Sequence, residues 1–111
     1  MTKVTLYYKD DLLWRFKVDG HAGFAVHGED IVCAAISMLT INTINAISLY
    51  TKEPYTELSM DSKRGLLDIA FPNRKLGRYE EESELLLKSM VLGLKTIQET
   101  YGEKYIQIRT K

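Results

Sequence analysis

The single cysteine of this chain stands where it could act as a nucleophile. An uncharged stretch begins at Ile31, and Asp30 directly before it is a suitable helix N-cap, because a carboxylate can accept a hydrogen bond from an amide two or three residues on. Ile31, Val32 and Cys33 would then be the first three helical residues. Unpaired amides and the helix dipole at such a position favour a thiolate and can hold an oxyanion.

A general base for this thiol is available twelve residues upstream. His21 lies between the small residues Gly20 and Ala22, at the predicted end of a strand. Glycines allow the following loop to fold back over the helix start and to act as a hinge; they are Gly20, Gly23 and Gly28. A thiol and an imidazole within reach of each other form a pair for nucleophilic catalysis. The second histidine of the loop, His27, is typical of a solvated side chain.

Structural, non-catalytic roles for the same residues stay open. A lone cysteine is often a small packing residue. Ser37, one helical turn after Cys33, can hydrogen-bond near the site or to a carbonyl of its own helix. The spacing of Cys33 with His21, His27 and Asp30 matches no common zinc pattern. We therefore expect neither a metal nor another cofactor.

Composition narrows the classes of function. The 111 residues predict one domain, residues 1–111, and 15 basic residues balance 15 acidic ones. Zero net charge argues against nucleic acid as a direct partner, because phosphate neutralisation dominates that affinity. Short basic clusters are predicted to be solvated; they are Lys63, Arg64, Arg74, Lys75 and Arg78. One cysteine excludes an internal disulfide framework and fits a reducing, cytoplasmic location.

The segment 31–51 is the only membrane-like part of the sequence. It runs 21 residues without a charge but contains seven polar side chains: Ser37, Thr40, Asn42, Thr43, Asn45, Ser48 and Thr51. That number is too high for an unassisted bilayer span. We predict a helix hidden inside a soluble protein or shared with a partner subunit, and no membrane association.

Periodicity predicts the elements that position these residues. Alternation of apolar side chains predicts strands at residues 4–8, 12–18, 56–60 and 66–71, paired as two hairpins. Residues 72–78 are typical of a connector. Helical spacing predicts a second helix from Tyr79 to the stop at Gly102, followed by a short strand at 105–109. The fold class is α+β: a single domain of order β-β-α-β-β-α-β with a mainly antiparallel sheet and two packed helices.

A longer pattern surrounds the cysteine and the histidine. Residues 20–22 are GHA, and residues 28–37 are GEDIVCAAIS. This resembles the signature of the ribosomal-processing cysteine protease family, Prp, in which GHA precedes a variable segment and G-x-D-I-V-C-A-A-x-S. Every motif position is filled, and the resemblance extends over essentially the whole chain.

The resemblance implies a concrete function. Members of the family are dimeric α+β proteins that remove a short N-terminal extension from ribosomal protein L-twenty-seven, behind a hydrophobic motif containing phenylalanine. The family's nucleophile falls on Cys33 and its histidine base on His21, while Asp30 and Ser37 fill supporting motif positions. The implied partners are the precursor of that ribosomal protein and a second copy of this chain.

Two other functions compete with the protease hypothesis. The chain could be a non-catalytic ribosome-assembly factor that binds a protein tail, although a binder needs no thiol at a helix start. RNA binding is disfavoured by the neutral charge and by the lack of an aromatic-rich basic sheet motif. Phe24 is a candidate to receive the substrate's phenylalanine, with a core or interface role equally open.

Overall fold

Two hairpins supply most of the sheet in the computed structural model, which describes residues 1–20 and 29–111. Strands β1 (Thr2–Lys9) and β2 (Leu12–Asp19) are joined by Asp10 and Asp11, whose φ angles of 51° and 65° fit a two-residue type I′ turn. Strands β3 (Thr56–Asp61) and β4 (Leu66–Ala70) form the second hairpin. Both hairpins confirm the prediction from alternation.

The five strands form one mixed sheet in the order β3-β4-β2-β1-β5. Strand β5 (Ile106–Thr110) pairs parallel with β1, and the other three pairings are antiparallel. The parallel pair sets Thr2 opposite Ile106. The first and last strands of the described chain are therefore neighbours in the sheet.

Two long helices pack on the apolar side of this sheet. They are α1 (Glu29–Tyr50) and α3 (Glu81–Tyr101), with the short helix α2 (Pro72–Lys75) between them in the chain. A single core joins Val4 and Phe16 of the sheet to Ile36 of α1 and Met90 of α3. At the crossing of the long helices, a Cβ on Gly93 would lie 2.7 Å from a methyl carbon of Leu39, so the missing side chain allows the close approach.

The opposite face of the sheet is polar and is fastened by an ion pair. The Arg15 guanidinium donates two hydrogen bonds to Asp68, Nε to Oδ1 at 2.9 Å and a terminal nitrogen to Oδ2 at 2.8 Å. The Arg15 guanidinium also lies 4.4 Å from the centre of the Tyr7 ring. These hydrogen bonds raise the pKa of Arg15 above its usual value. The pair ties β2 to β4 across the face that the helices leave uncovered.

Helix α1 is the core helix predicted for the uncharged segment. By length and composition Asp30–Tyr50 would suffice to cross a membrane, with a mean hydropathy of 1.7. Val32, Ile36 and Ile47 nevertheless lie in the protein core with no exposed surface. One side of the helix is therefore part of the core, while about two thirds of its apolar stretch is not buried, since 33% of it is.

Three local predictions need correction. The segment 72–78 is not only a connector, because residues 72–75 form α2. Pro72 is the first residue of this helix, and its fixed φ suits the first turn. Within it Arg74 is fully buried rather than solvated. Helix α3 begins at Glu81, two residues later than Tyr79. It ends at Tyr101, and the predicted stop Gly102 is its C-cap, with a φ of 100° that favours glycine.

Candidate active site

Helix α1 starts earlier than the sequence predicts. It begins at Glu29, so Asp30 lies inside the first turn and is not the N-cap. A carboxylate there still interacts favourably with the helix dipole, which explains why an acidic residue is suited to either position. Cys33 becomes the fifth helical residue rather than the third. Its own N–H is therefore not among the first four, the amides that a helix leaves unpaired.

The thiol nevertheless lies toward the helix start. Side chains on a helix tilt toward its N-terminus, so Cys33 covers the turn that precedes its own Cα. Cys33 is partly exposed. The amides that a helix leaves unpaired therefore precede Cys33 in the chain.

Two strands meet the sulfur of Cys33. The Thr2 hydroxyl oxygen, at the start of β1, lies 3.3 Å from Sγ, within hydrogen-bonding distance for sulfur. The thiol can in turn donate to the carbonyl oxygen of Gly20, which lies 3.9 Å away at the end of β2. The sulfur therefore sits at the junction of α1, β1 and β2.

Each of these strand ends is fixed by a neighbour in the sheet. The N–H of Thr2 donates to the carbonyl of Tyr105 at 2.9 Å, just before β5 begins. The N–H of Gly20 donates to the carbonyl of Gly65 at 2.9 Å, in the turn between β3 and β4. The backbones of the two residues that contact the thiol are thus each bonded to a residue distant in sequence.

Gly20 and Gly65 pack backbone against backbone. A Cβ on Gly20 would lie 3.2 Å from the carbonyl oxygen of Gly65, and a Cβ on Gly65 would lie 3.3 Å from the Cα of Gly20. Gly65 also has a φ of +71°, which side-chain-bearing residues rarely adopt. Glycine at position 20 therefore does more than allow bending, because it permits this close contact beside Cys33.

The other predicted site residues are divided between described and undescribed parts of the chain. Ser37 lies one turn beyond Cys33 and is half-buried, and Asp30 is exposed. His21, Gly23, Phe24, His27 and Gly28 lie outside the described residues. Within the described ranges 1–20 and 29–111, no group of three or more His, Cys, Asp or Glu side chains is placed to hold a metal.

Sequence reasoning missed Thr2. A threonine before the first predicted strand carries no signal of chemistry, and its place beside Cys33 depends on how β1 and α1 pack together. The two residues are 31 positions apart. Only the assembled sheet brings them together.

A partly exposed thiol near a helix start, contacted by a hydroxyl and a strand-end carbonyl, is a candidate nucleophile in a small α+β domain. Comparison with known families defines the class further. The family model described as "Cysteine protease Prp" matches residues 1–107. The chain therefore belongs to the Prp family and is a cysteine protease.

Individual relatives agree with this assignment. The chain is 31% identical over 89 residues to the ribosomal processing cysteine protease Prp of Bacillus subtilis, covering 79% of this chain and 78% of that protein. It is 35% identical over 86 residues to the Staphylococcus aureus protein of the same name, covering 78% and 76% respectively.

Solved structures share the complete fold. The S. aureus protease in complex with a substrate peptide matches with a TM-score of 0.87 and 28% identity, covering 100% of both chains. The same protease with a covalently linked product peptide matches with a TM-score of 0.84 and 29% identity, again over 100% of both chains. The predicted α+β class is thereby confirmed.

The glycine contact leads to a prediction about stability. Gly65→Ala introduces both a strained φ and a Cβ against Gly20, whereas Gly77→Ala introduces only the strain, since Gly77 has a φ of +83° and open space around it. We expect Gly77→Ala to lower the free energy of unfolding by about 1 kcal/mol and Gly65→Ala to lower it further. Urea denaturation measures both values.

The same pair of variants tests whether the contact supports the site. Gly65→Ala should also change the alkylation rate of Cys33, because Gly20 faces the sulfur, and Gly77→Ala should not. Equal stabilities and equal alkylation rates in the two variants would contradict a supporting role for the Gly20–Gly65 contact.

Proposed function

We propose that this protease removes the N-terminal extension of the ribosomal protein L-twenty-seven precursor, using Cys33 as nucleophile and His21 as base. The observation that carries the proposal is the contact of the Cys33 sulfur with the carbonyl of Gly20 at 3.9 Å. Gly20 is covalently followed by His21, so the residue directly before the proposed base contacts the sulfur. The relatives' name, ribosomal processing cysteine protease, supports the substrate class.

The chemistry follows from a thiol and an imidazole. His21 takes the proton of Cys33, and the sulfur attacks the scissile carbonyl carbon to form a tetrahedral oxyanion. Free amides of the first turn of α1 supply donors for that oxyanion. The intermediate collapses as His21 protonates the leaving amine, which leaves a thioester on Cys33. Water, deprotonated by His21, hydrolyses the thioester and regenerates the thiol.

The remaining motif residues have supporting roles in this proposal. Asp30 places a negative charge in the first turn of α1, where it interacts favourably with the dipole. Ser37 lies one turn behind Cys33 on the same side of the helix. Gly20, Gly23 and Gly28 are the proposed hinge positions between β2 and α1, because glycine adopts backbone conformations that other residues rarely do.

A synthetic peptide tests the proposed activity. A peptide that spans the extension and the mature N-terminus of the precursor is incubated with the protein under reducing conditions, beside a peptide of the same composition in shuffled order. Mass spectrometry should show two fragments from a single cut in the first peptide and an intact second peptide. Binding of the first peptide without cleavage would overturn the protease proposal and would indicate the non-catalytic tail-binding module.

A homodimer is the proposed assembly, and the solvent side of α1 supports it. This side carries no charge from Ile31 to Tyr50, although helices that face water normally carry charged residues there. Large apolar side chains are exposed along it: Ile31, Met38, Ile41, Leu49 and Tyr50. Exposed Asn42 and Asn45 lie among them, so the surface is uncharged and largely apolar, which is typical of a protein interface.

A charge on α1 should break the dimer. Met38 is 70% exposed on α1, and Leu85 is 69% exposed on α3, which makes Leu85→Lys a matched control for Met38→Lys. Light scattering should give twice the 12.8 kDa chain mass for the wild type and for Leu85→Lys, and 12.8 kDa for Met38→Lys. A 12.8 kDa wild type would contradict the proposed dimer, and a dimeric Met38→Lys would contradict α1 as its interface.

The proposed location is the cytoplasm. Ribosomal proteins are made and assembled there, and a catalytic thiol requires the reduced state that this compartment maintains. The free thiol of Cys33 is compatible with that requirement.

A further inference from the structure

The Thr2 hydroxyl is a buried polar group that the proposed mechanism leaves unused. Thr2 is 1% exposed, so its hydroxyl is withdrawn from water and requires a partner inside the protein. The Cys33 sulfur at 3.3 Å supplies that partner. The buried Thr2 hydroxyl therefore contacts the proposed nucleophile directly.

By distance alone either atom of this hydrogen bond could donate, and the second contact of the sulfur favours the Thr2 hydroxyl as the donor. The carbonyl of Gly20 can only accept, so a thiol proton directed at it leaves the sulfur as the acceptor toward Thr2. A thiolate has no proton at all and can only accept. In both forms the Thr2 hydroxyl is therefore the donor, which gives a chain from Thr2 through the Cys33 thiol to Gly20.

We propose that Thr2 is a positioning residue, whose hydroxyl holds the Cys33 sulfur in the orientation for attack. This inference rests on the proposed role of Cys33 as nucleophile. A cysteine side chain has three staggered rotamers, and a donor at a fixed place selects one of them. Thr2 is fixed because its N–H is bonded to Tyr105 and its strand is paired with β5. Strand β5 thus fixes Thr2 at the start of β1, and Thr2 in turn orients the thiol.

The same donor assists the two steps in which the sulfur carries negative charge. A hydrogen bond to an ionised acceptor is stronger than one to a neutral acceptor. The Thr2 hydroxyl therefore stabilises the thiolate before attack and again when the thiolate leaves the thioester. The thioester sulfur itself is a weak acceptor, so the acyl-enzyme gains less from Thr2. The expected effect consequently falls on turnover more than on peptide binding.

Substitutions at position 2 separate the hydroxyl from the shape of the side chain. Thr2→Val keeps the branched shape and removes the hydroxyl, while Thr2→Ser keeps the hydroxyl. We expect Thr2→Val to lower kcat by about threefold to tenfold, as for the loss of one hydrogen bond, with KM within about twofold. Thr2→Ser should restore kcat to within about twofold of the wild type. Peptide cleavage under steady-state conditions gives both constants.

A matched control removes a similar buried hydroxyl elsewhere. Thr43 on α1 is also buried, and its hydroxyl donates to the Leu39 carbonyl at 2.7 Å. Thr43→Val should leave kcat and the alkylation rate of Cys33 by iodoacetamide unchanged. Thr2→Val should lower the alkylation rate, and this readout does not depend on any substrate.

The outcomes distinguish this inference from the proposed function. If the wild type cleaves the peptide and Thr2→Val cleaves it equally fast, the positioning role is overturned. If Thr2→Ser is as impaired as Thr2→Val, the side-chain shape rather than the hydroxyl matters, which also overturns it. Should Thr2→Val fail to fold, the pair Thr2→Ser and Thr2→Ala decides, because both lack the methyl group and only serine has the donor. A wild type that leaves the peptide intact refutes the proposed function, while the alkylation rates still test Thr2.

Discussion

Cys33→Ala is expected to lower kcat/KM for the precursor peptide by about a thousandfold or more. Removal of the attacking atom from a covalent mechanism leaves only binding and oxyanion stabilisation, and losses of this size are usual when a nucleophile is deleted. Cys33→Ser should be nearly as inactive, because a serine hydroxyl is far less ionised than a thiol and needs a stronger base. Initial rates from separated cleavage products measure the loss.

A similar loss of activity is expected when the proposed base, His21, is replaced. His21→Ala should lose activity to a similar extent, and the double variant Cys33→Ala/His21→Ala should be no worse than either single variant, because residues that act as a unit are not additive. Circular dichroism before and after heating checks that each variant folds. More than about a tenth of wild-type activity in a folded Cys33→Ala would contradict the role of the sulfur.

Arg74→Met is expected to cause the largest loss of stability. The Arg74 guanidinium is fully buried and donates hydrogen bonds to the Leu13 carbonyl, the Ser83 hydroxyl and the Glu84 carboxylate. Methionine fills much of the volume but donates nothing, so the Leu13 carbonyl and a partly buried carboxylate lose their partner. Breaking a buried ion pair from one side costs about 3 kcal/mol or more.

The loss of Arg74 also affects a second acidic residue, the buried Glu53. Ser83 also donates to a carboxylate oxygen of Glu53 at 2.8 Å, and Glu53 is only 5% exposed. That carboxylate further accepts the N–H of Glu80 at 3.3 Å, just before α3 begins. The start of α3 and the segment after α1 therefore depend on the same network. We expect the melting temperature of Arg74→Met to fall by roughly 10 °C or more.

An exposed arginine provides the control. Arg64 is 57% exposed in its side chain and pairs with Asp19 at 3.3 Å. Arg64→Met should change the free energy of unfolding by less than about 1 kcal/mol, since exposed ion pairs contribute little. Similar melting temperatures for the two variants would show that the network around Arg74 does not stabilise the fold.

Local pattern predicted most of the architecture. Alternation in β1 and β2 and the polar turn at Asp10 and Asp11 are properties of neighbouring residues, and they led to the observed hairpin. The same holds for α1, whose uncharged sequence indicated a helix that packs against other parts of a protein, and for the stop of α3 at Gly102. Each of these elements is encoded within a few turns or a few residues.

What escaped prediction depends on contacts between distant residues. Arg74 looked like part of a solvated basic cluster, because its partners Leu13 and Glu84 come from other elements. Thr2 meets Cys33 only after β1 has paired with β2 and β5. The N-cap prediction for Asp30 failed for another reason, since acidic residues suit both the cap and the first turn.

The predictions about the site concern both the placement of residues and their chemical roles. Gly20, the first residue of the predicted glycine-rich loop, contacts Cys33, while the predicted return of the loop over the helix start concerns residues outside the described ranges. The roles of His21 and Cys33 stay predictions, because they concern chemistry rather than placement. Their test requires the reaction itself.

Titration of the only cysteine tests the central claim most directly. The chain contains one cysteine, so iodoacetamide that modifies a thiol here modifies Cys33 alone. Samples alkylated to increasing extents are divided, with intact-protein mass spectrometry giving the modified fraction and precursor-peptide cleavage giving the residual activity. We predict that activity falls in proportion to the modified fraction and reaches zero at one adduct per chain. Undiminished cleavage by fully alkylated protein would contradict the assignment of Cys33 as the nucleophile.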